Sequence, residues 1–155
     1  MIAVNLTGVM LGCKYSIKGM KVRNNGGSII NMSSLGGLVG APDIVGCYAT
    51  KGGVTLLTKF VALYCAQHEL NIRCNSVHPT YVDSDMLDPI VEMFGSREAM
   101  INAMATEVPM GRIAAPQDIA NVVLFLALDE SVMMAGYLLI VDGGQTAGMM
   151  EKYSG

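Results

Sequence analysis

Apolar residues follow a helical period in three stretches of the chain. In residues 1–22 they recur every three or four positions, and the Asn24-Asn25-Gly26-Gly27 run ends the pattern, so a helix is predicted there. The same period from about Cys47 to His68 predicts a second long helix. Pro116 suits the first turn of a third helix, which the pattern extends to about Leu128.

Three short segments between and after these helices predict strands: SIINM at 28–32, NIRCNSV at 71–77, which Pro79 stops, and YLLIV at 137–141. Strands that alternate with long helices indicate βαβ units. The expected fold class is therefore α/β, a partial doubly wound, Rossmann-like, three-layer α/β/α arrangement with a parallel sheet of about three strands. Because the first predicted element is a helix, no strand is expected on the outer side of 28–32. That strand should have a free edge, which favours association.

The chain is predicted to form a single domain over residues 1–155. The 155 residues are 52% apolar and 15% charged, which fits one globular core. No linker, repeat or low-complexity tract divides them. Residues 83–110 are irregular or short-helical by pattern and are rich in methionine.

Charge and cysteine content argue against several kinds of partner. The net charge of −3 gives no reason to expect nucleic acid or an anionic membrane surface. The longest apolar run, 119–128, is too short to cross a membrane, and the start shows no secretory pattern, so a cytoplasmic location is expected. Cys13, Cys47, Cys65 and Cys74 form no Cys-x-x-Cys pair, which predicts reduced, buried thiols and no metal site.

Six segments together resemble a known family over nearly the whole chain. They are VNLTGV at 4–9, GGSIINMSS at 26–34, YATKGGV at 48–54, NIRCNSVHP at 71–79, PMGRIAAPQDIANVVLFLA at 109–127 and VDGG at 141–144. In this order and spacing the chain is similar to the C-terminal portion of a short-chain dehydrogenase/reductase. The resemblance implies NAD or NADP as cofactor and a secondary alcohol or ketone, cyclic or steroid compounds included, as substrate. It also implies a homo-oligomer that pairs through the two long helices.

The resemblance implies a catalytic set of Asn5, Ser34, Tyr48 and Lys51. The Asn5 backbone would help hold a water in a proton relay, and the Ser34 hydroxyl would bond the substrate oxygen. Lys51 would contact the nicotinamide ribose and lower the tyrosine pKa, because an ammonium favours the phenolate of a phenol whose pKa is otherwise about 10.

Cofactor contacts are implied for Lys51, Pro79, Val82 and Ser84. Val82 would offer backbone groups to the carboxamide, and Ser84 a hydroxyl to the phosphates. The family has glycine where this chain has Thr80. A Cβ there would crowd the backbone against the nicotinamide and disfavour positive φ.

The tyrosine position is where the chain departs most from the family. Ser34 and Lys51 are seventeen positions apart, as in the relatives, and this register puts Cys47 where the tyrosine belongs. Tyr48 follows one residue later, which is about 100° of rotation on a helix. A bulge or a late helix start at this point would restore Tyr48 to the site.

Structural interpretations of the same residues stay open. Ser34 could stabilise a turn before a glycine-rich loop, and Asn5 could cap a helix. The GGLVG segment at 36–40 lacks the spacing of a dinucleotide-binding turn. A non-catalytic relative, acting as an oligomerisation or interaction module, is the alternative function.

Three further sets of residues are ambiguous. The methionines could line the apolar substrate lid that the resemblance implies or fill core gaps, and they are Met86, Met93, Met100, Met104 and Met110. The acidic cluster is most simply a solvated loop, formed by Asp83, Asp85 and Asp88. Structural or exposed roles are favoured for His68 and His78.

Overall fold

The computed structural model describes residues 1–23, 25–42 and 44–148. Asn24, where the predicted first helix ends, and the last seven residues of the predicted domain, 149–155, lie outside the described residues. A π-helical segment, Ala3–Gly8, runs into helix α1, Val9–Arg23. Three more helices follow along the chain: α2 at Val45–Gln67, α3 at Arg97–Ala105 and α4 at Pro116–Ala127. Short 3₁₀ segments lie at Leu35–Gly37, Asp85–Phe94 and Asp129–Ser131.

The three strands form one parallel sheet in the order β1-β2-β3, as predicted. They span Gly27–Met32, Ile72–Pro79 and Leu138–Val141. The central strand β2 is buried along almost its whole length, which is characteristic of a parallel sheet covered on both faces. The α/β fold predicted from the alternating pattern is therefore confirmed.

Helices cover the two faces of the sheet. On one face, α1 and α2 enclose an apolar core formed by Cys13, Ile29, Val61, Ala62, Cys65, Ile72 and Cys74. On the other face, α4 is held by its last turn. Leu126 O accepts hydrogen bonds from Ser28 Oγ at 2.7 Å and from the Arg73 guanidinium at 3.1 Å. Within the described residues no helix is long and apolar enough to cross a membrane.

The outer edge of β1 has no strand partner among the described residues. Gly27 N donates to Asn71 O and Ser33 N to Val77 O, so the peptide groups of odd-numbered residues face β2. Those of Ser28, Ile30 and Met32 therefore face outward. The free edge predicted from the pattern is present, and it lies at the bottom of a cleft of about 500 Å³ between β1 and α1.

Candidate active site

Lys51 is tied at both ends to the carboxyl end of β1. It lies in the second turn of α2, and its Nζ donates to Met32 O at 2.9 Å. Its own carbonyl accepts from Ser33 Oγ at 3.0 Å and from Thr55 Oγ1 at 2.9 Å. Ser34 directly follows Ser33 in the chain. These contacts bring the predicted serine and lysine segments together.

Asn5 and Lys51 line the same cleft beside the outer edge of β1. Asn5 Nδ2 donates to Thr50 Oγ1 at 3.5 Å, next to Lys51 in α2. Asn5 lies inside the π-helical segment, whose N-terminus has no side-chain cap, so the capping interpretation does not apply. Burial lowers the pKa of Lys51, and the nearby Cys47 opposes that shift.

Ser34 is held by its backbone as well as by its hydroxyl. Its Oγ accepts a hydrogen bond from Gly36 N at 3.2 Å, as expected if Ser34 forms a turn before the glycine-rich loop. Its carbonyl lies 3.0 Å from Nδ1 of the fully buried His78. Because a carbonyl only accepts, Nδ1 carries the proton, and Nε2 accepts from Ser76 Oγ at 2.8 Å.

Burial keeps His78 in its neutral form by lowering the pKa of the imidazole. A neutral ring with this tautomer satisfies both of its partners, so His78 anchors the Ser34 backbone from β2. Ser33 and Thr55 add a second anchor, since their hydroxyls lie 3.3 Å apart and both bond to Lys51 O. The roles of His78, Ser33 and Thr55 could not be assigned from the sequence. The one signal for His78 is its place at the end of the strand that leads to Pro79.

Helix α2 contains neither a bulge nor a late start near Cys47 and Tyr48. It begins at Val45, and both residues donate their N–H to Ile44 O. Cys47 precedes Lys51 by four residues and so shares its face of the helix. The Tyr48 ring instead packs on the loop after Ser34. A Cβ on Gly36 would meet the Tyr48 Cδ2 atom at 2.9 Å.

Tyr81, two residues past the end of β2, is near enough to Tyr48 for the two phenols to interact electrostatically. The pKa of Tyr81 is raised to about 12 by burial, by a 2.9 Å hydrogen bond to Glu107 and by the charges of Glu107 and Tyr48. The Tyr48 phenol therefore leaves the Lys51 face of the helix but stays beside the Ser34 loop. Which of positions 47 and 48 handles the proton remains a prediction.

The predicted cofactor residues follow the end of β2. Pro79 is its last residue, adjacent to the His78 that holds Ser34. Ala114 N donates to Tyr81 O and Asp83 N donates to Ala114 O, both at 2.9 Å. Because this bridge uses the residues on either side of Val82, the Val82 peptide groups face the opposite direction.

Thr80 causes no backbone strain in this segment. The described non-glycine residues with positive φ are Glu69 and Asn71, so the Thr80 backbone does not need glycine. Its Oγ1 donates to Gln145 Oε1 at 2.5 Å and its N–H to Val141 O at 3.1 Å. Ser84 Oγ is directed to Val82 O, 3.4 Å away.

Arg97 closes the loop that begins at Asp83. Its guanidinium donates to the Asp83 carboxylate at 2.6 Å, to the Asp88 carboxylate at 2.5 Å and to Ser84 O at 3.1 Å. Two carboxylates of the predicted solvated cluster are thus paired, and no group of residues in the described part of the chain could hold a metal ion. The segment packs over a small apolar cluster.

The methionines divide between the two predicted roles. Met100 and Met104 are buried on one face of α3 with Ile113, against half-buried Leu87, Ile90 and Val91. Met86, Met93 and Met110 are more than two-thirds exposed, at 86%, 80% and 69%. The first pair fills a core, and the other three are free to meet a ligand.

Of the NAD or NADP cofactor that the resemblance implies, only the nicotinamide side fits the residues present. The half-buried Lys51 ammonium and the outward peptide groups of Val82 are suited to a ribose hydroxyl and a carboxamide. The first two glycines of GGLVG are used for packing. Gly36 lies against the Tyr48 ring and Gly37 against Ser33, so this segment is not a phosphate-binding turn.

Residues 1–146 match the family model described as Enoyl-(Acyl carrier protein) reductase. The chain is 42% identical over 147 residues to the NADP-dependent (R)-specific alcohol dehydrogenase of Lentilactobacillus kefiri, covering 95% of this chain and 56% of that protein. It is 39% identical over 144 residues to the cyclopentanol dehydrogenase of Comamonas testosteroni, covering 93% and 55%. The chain spans about half the length of the curated relatives it matches.

Solved structures agree with these sequence matches. The structure described as ElxO with NADP bound superposes with a TM-score of 0.84 at 28% identity, covering 96% of this chain and 57% of that one. A putative 2-deoxy-d-gluconate 3-dehydrogenase from Agrobacterium tumefaciens with bound NADP gives a TM-score of 0.83 at 27% identity, covering 95% and 57%.

Proposed function

Because this chain belongs to the short-chain dehydrogenase/reductase family, we propose that it carries the substrate site of an NAD(P)-dependent oxidoreductase. The reaction is the interconversion of a secondary alcohol and a ketone. The observation that carries the proposal is the double attachment of Lys51 to the end of β1, which sets its ammonium beside the Ser34 segment. Names of similar proteins, among them an alcohol and a cyclopentanol dehydrogenase, support this substrate class.

Proton handling falls to this chain. When bound, NAD or NADP supplies or accepts the hydride. The Ser34 hydroxyl donates a hydrogen bond to the substrate oxygen, and a proton donor at the start of α2 exchanges the proton with that oxygen. Tyr48 supplies the phenol there, but from the Gly36 side of the helix, so this exchange is slow. Lys51 favours the phenolate electrostatically, and Asn5, beside it in the cleft, holds water for proton exchange with solvent.

The cofactor would be held on its nicotinamide side by Lys51, Pro79, Val82 and Ser84. Lys51 donates to the ribose, and the Val82 peptide groups, directed away from Ala114, meet the carboxamide. Pro79 ends β2 beside the serine, and Ser84 offers its hydroxyl towards the phosphates.

The segment 83–110 of the single domain covers the substrate. Its half-buried apolar side chains, with the exposed methionines above them, favour an apolar alcohol or ketone. Arg97 fixes the base of the segment through Asp83 and Asp88.

We propose a homo-oligomer in the cytoplasm. The outward face of α2 exposes Leu56, Phe60 and Leu63 at 68%, 64% and 71%. A contiguous apolar stripe of this kind marks an association surface. The curated relatives named above are dehydrogenases, which supports a catalytic role over a non-catalytic interaction module.

The proposal is tested by joining the N-terminal cofactor half of the L. kefiri dehydrogenase to this chain. NADPH oxidation is followed with a panel of cyclic and open-chain ketones. We expect slow turnover that Ser34→Ala and Lys51→Ala abolish, while the matched control Ser16→Ala, on α1, retains it. Turnover that survives both Ser34→Ala and Lys51→Ala would refute the assigned site.

A further inference from the structure

Three cysteine thiols lie together in the core between the sheet and helices α1 and α2, and they take no part in the proposed reaction. They are Cys13 of α1, Cys65 of α2 and Cys74 of β2, and none is more than 3% exposed. All are free thiols. They come from three different elements, so a bond between any two would join separate parts of the fold.

The Asn31 side chain holds two of these sulfur atoms. Cys13 Sγ donates to Asn31 Oδ1 at 3.4 Å, and Asn31 Nδ2 donates to Cys74 Sγ at 3.5 Å. The same amide nitrogen also donates to Thr58 Oγ1 at 3.0 Å, which fixes its orientation. One amide therefore binds the Cys13 sulfur through its oxygen and the Cys74 sulfur through its nitrogen.

The two thiols differ in acidity. The Cys74 thiol lowers the pKa of Cys13 to about 7, against the effect of burial. The pKa of Cys74 is raised by the Cys13 thiol and by burial. Burial also raises the pKa of Cys65. Of the three, Cys13 is the one that carries thiolate at neutral pH, and the thiolate is the reactive form.

Cys13 has a route to solvent. It lines the cleft of about 500 Å³ between α1 and the outer edge of β1, whereas Cys65 and Cys74 do not. A hydroperoxide, little larger than water, can enter such a cleft. Thiolate character and access thus coincide at Cys13, with a second thiol behind it.

We propose that Cys13 and Cys74 form an oxidisable pair that hydroperoxides convert to a disulfide. The Cys13 thiolate attacks one peroxide oxygen, the O–O bond breaks, and Cys13 sulfenic acid and hydroxide or alkoxide form. The Cys74 sulfur then attacks the Cys13 sulfur, the S–O bond breaks, and the hydroxide leaves with the Cys74 proton as water. Two thiols lose two electrons in total, and the peroxide is reduced.

The disulfide would tie α1 to the central strand across β1. It closes a loop of the chain between residues 13 and 74, which restricts the unfolded state and raises the thermal midpoint. Reduction with dithiothreitol restores both thiols. The pair contains none of the residues proposed to act in the alcohol site, and Cys13 lines the same cleft as Asn5 and Lys51.

The pairing can be read from peptides, since trypsin places the four cysteines in four fragments. Cleavage after Lys14, Arg23, Lys51, Lys59 and Arg73 leaves Cys13, Cys47, Cys65 and Cys74 apart. The full chain carrying Cys47→Ser, which removes the half-buried thiol, is treated with equimolar hydrogen peroxide and alkylated. Mass spectrometry then identifies the joined fragments.

We expect one crosslink, between the Cys13 and Cys74 fragments, reversible by dithiothreitol. Cys65→Ser is the matched control, because it removes an equally buried neighbour outside the Asn31 pair, and it should leave the crosslink intact. Cys13→Ser and Cys74→Ser should each abolish it. If either variant fails to fold, the crosslink found in the Cys47→Ser chain and the shift of its thermal midpoint on oxidation still decide whether the pair forms. A crosslink through Cys65, a persistent sulfenic acid on Cys13, or unmodified thiols would overturn the proposal.

Discussion

Cys47 precedes Lys51 by one helical turn on the same face of α2, close enough to influence the pKa of the Lys51 ammonium. A thiol thus stands beside the cation at the position where the family has its phenol. The phenol of Tyr48 is displaced to the Gly36 side of the helix. In the proposed site, Ser34 and Lys51 are held together, and the proposed proton donor Tyr48 is one residue out of register with Lys51.

This geometry predicts weak cofactor binding by the chain alone. In the proposed site Lys51 and Val82 would contact only the nicotinamide side, and Gly36 and Gly37 are occupied by packing. We expect no saturable NADH or NADPH binding in the micromolar range in a fluorescence or calorimetric titration. A micromolar dissociation constant, lost in Lys51→Ala, would show that the nicotinamide contacts suffice.

Stability should depend on pH through His78. Burial lowers its pKa below the usual value of 6.5, so the unfolded chain binds a proton more readily than the folded one. The contribution of neutral His78 is complete above about pH 6.5 and is lost as the pH falls towards the lower folded pKa. The free energy of unfolding, from urea titrations between pH 7.5 and pH 5, should therefore decrease as the pH falls.

The matched control is the exposed His68. His78→Asn, which retains an N–H donor for Ser34 O, should remove most of this pH dependence at a cost of about 1–3 kcal/mol, because Ser76 loses its acceptor. His68→Asn should retain it. Equal pH dependence in both variants would contradict the role of His78.

Asp142 is a separate case: burial alone would raise its pKa, but hydrogen bonds from Thr146 and Gly144 lower it, so its contribution to stability is lost only below about pH 3.8.

The elements of the fold could be predicted from the sequence because local patterns encode them. The strand β2 was predicted from its place between two helical patterns and its end at Pro79, and Pro116 marks the start of α4. The spacing of Met100 and Met104 places both on one face of α3, but the sequence left their role open between a substrate lid and core filler.

Side-chain partners from distant parts of the chain could not be predicted. His78 meets Ser34 across 44 residues, and Arg97 finds Asp83 across 14. No local period specifies such pairs, since they depend on where the sheet and the loop bring the residues. The anchors of the serine loop and the ion-pair closure of the acidic loop were missed for that reason.

The free edge of β1 should drive self-association. Its outward peptide groups belong to Ser28, Ile30 and Met32, and the strand contains no charge or proline to block pairing. Light scattering across a concentration series should show dimers or larger species. Ile30→Pro removes one outward N–H without breaking a bond to β2 and should reduce their fraction.

The other edge of the sheet supplies the comparison. Thr80 N donates to Val141 O, so the peptide groups of Ile140 face outward from β3. Ile140→Pro should leave association unchanged if β1 is the edge responsible. A stable wild-type monomer at high concentration, or a loss of association in Ile140→Pro alone, would contradict this assignment.

The most direct measurement exchanges the two residues at the start of α2. In the protein completed with the L. kefiri cofactor half, Cys47→Tyr with Tyr48→Cys places a phenol on the Lys51 face. We expect kcat for ketone reduction to rise by about 10²–10⁴-fold, the usual contribution of a positioned acid–base group. Cys47→Ala with Tyr48→Cys, which lacks the phenol, is the control and should show no gain. A fall in kcat on exchange, with Tyr48→Phe alone abolishing turnover, would show that Tyr48 is already the acid and that the register account is wrong.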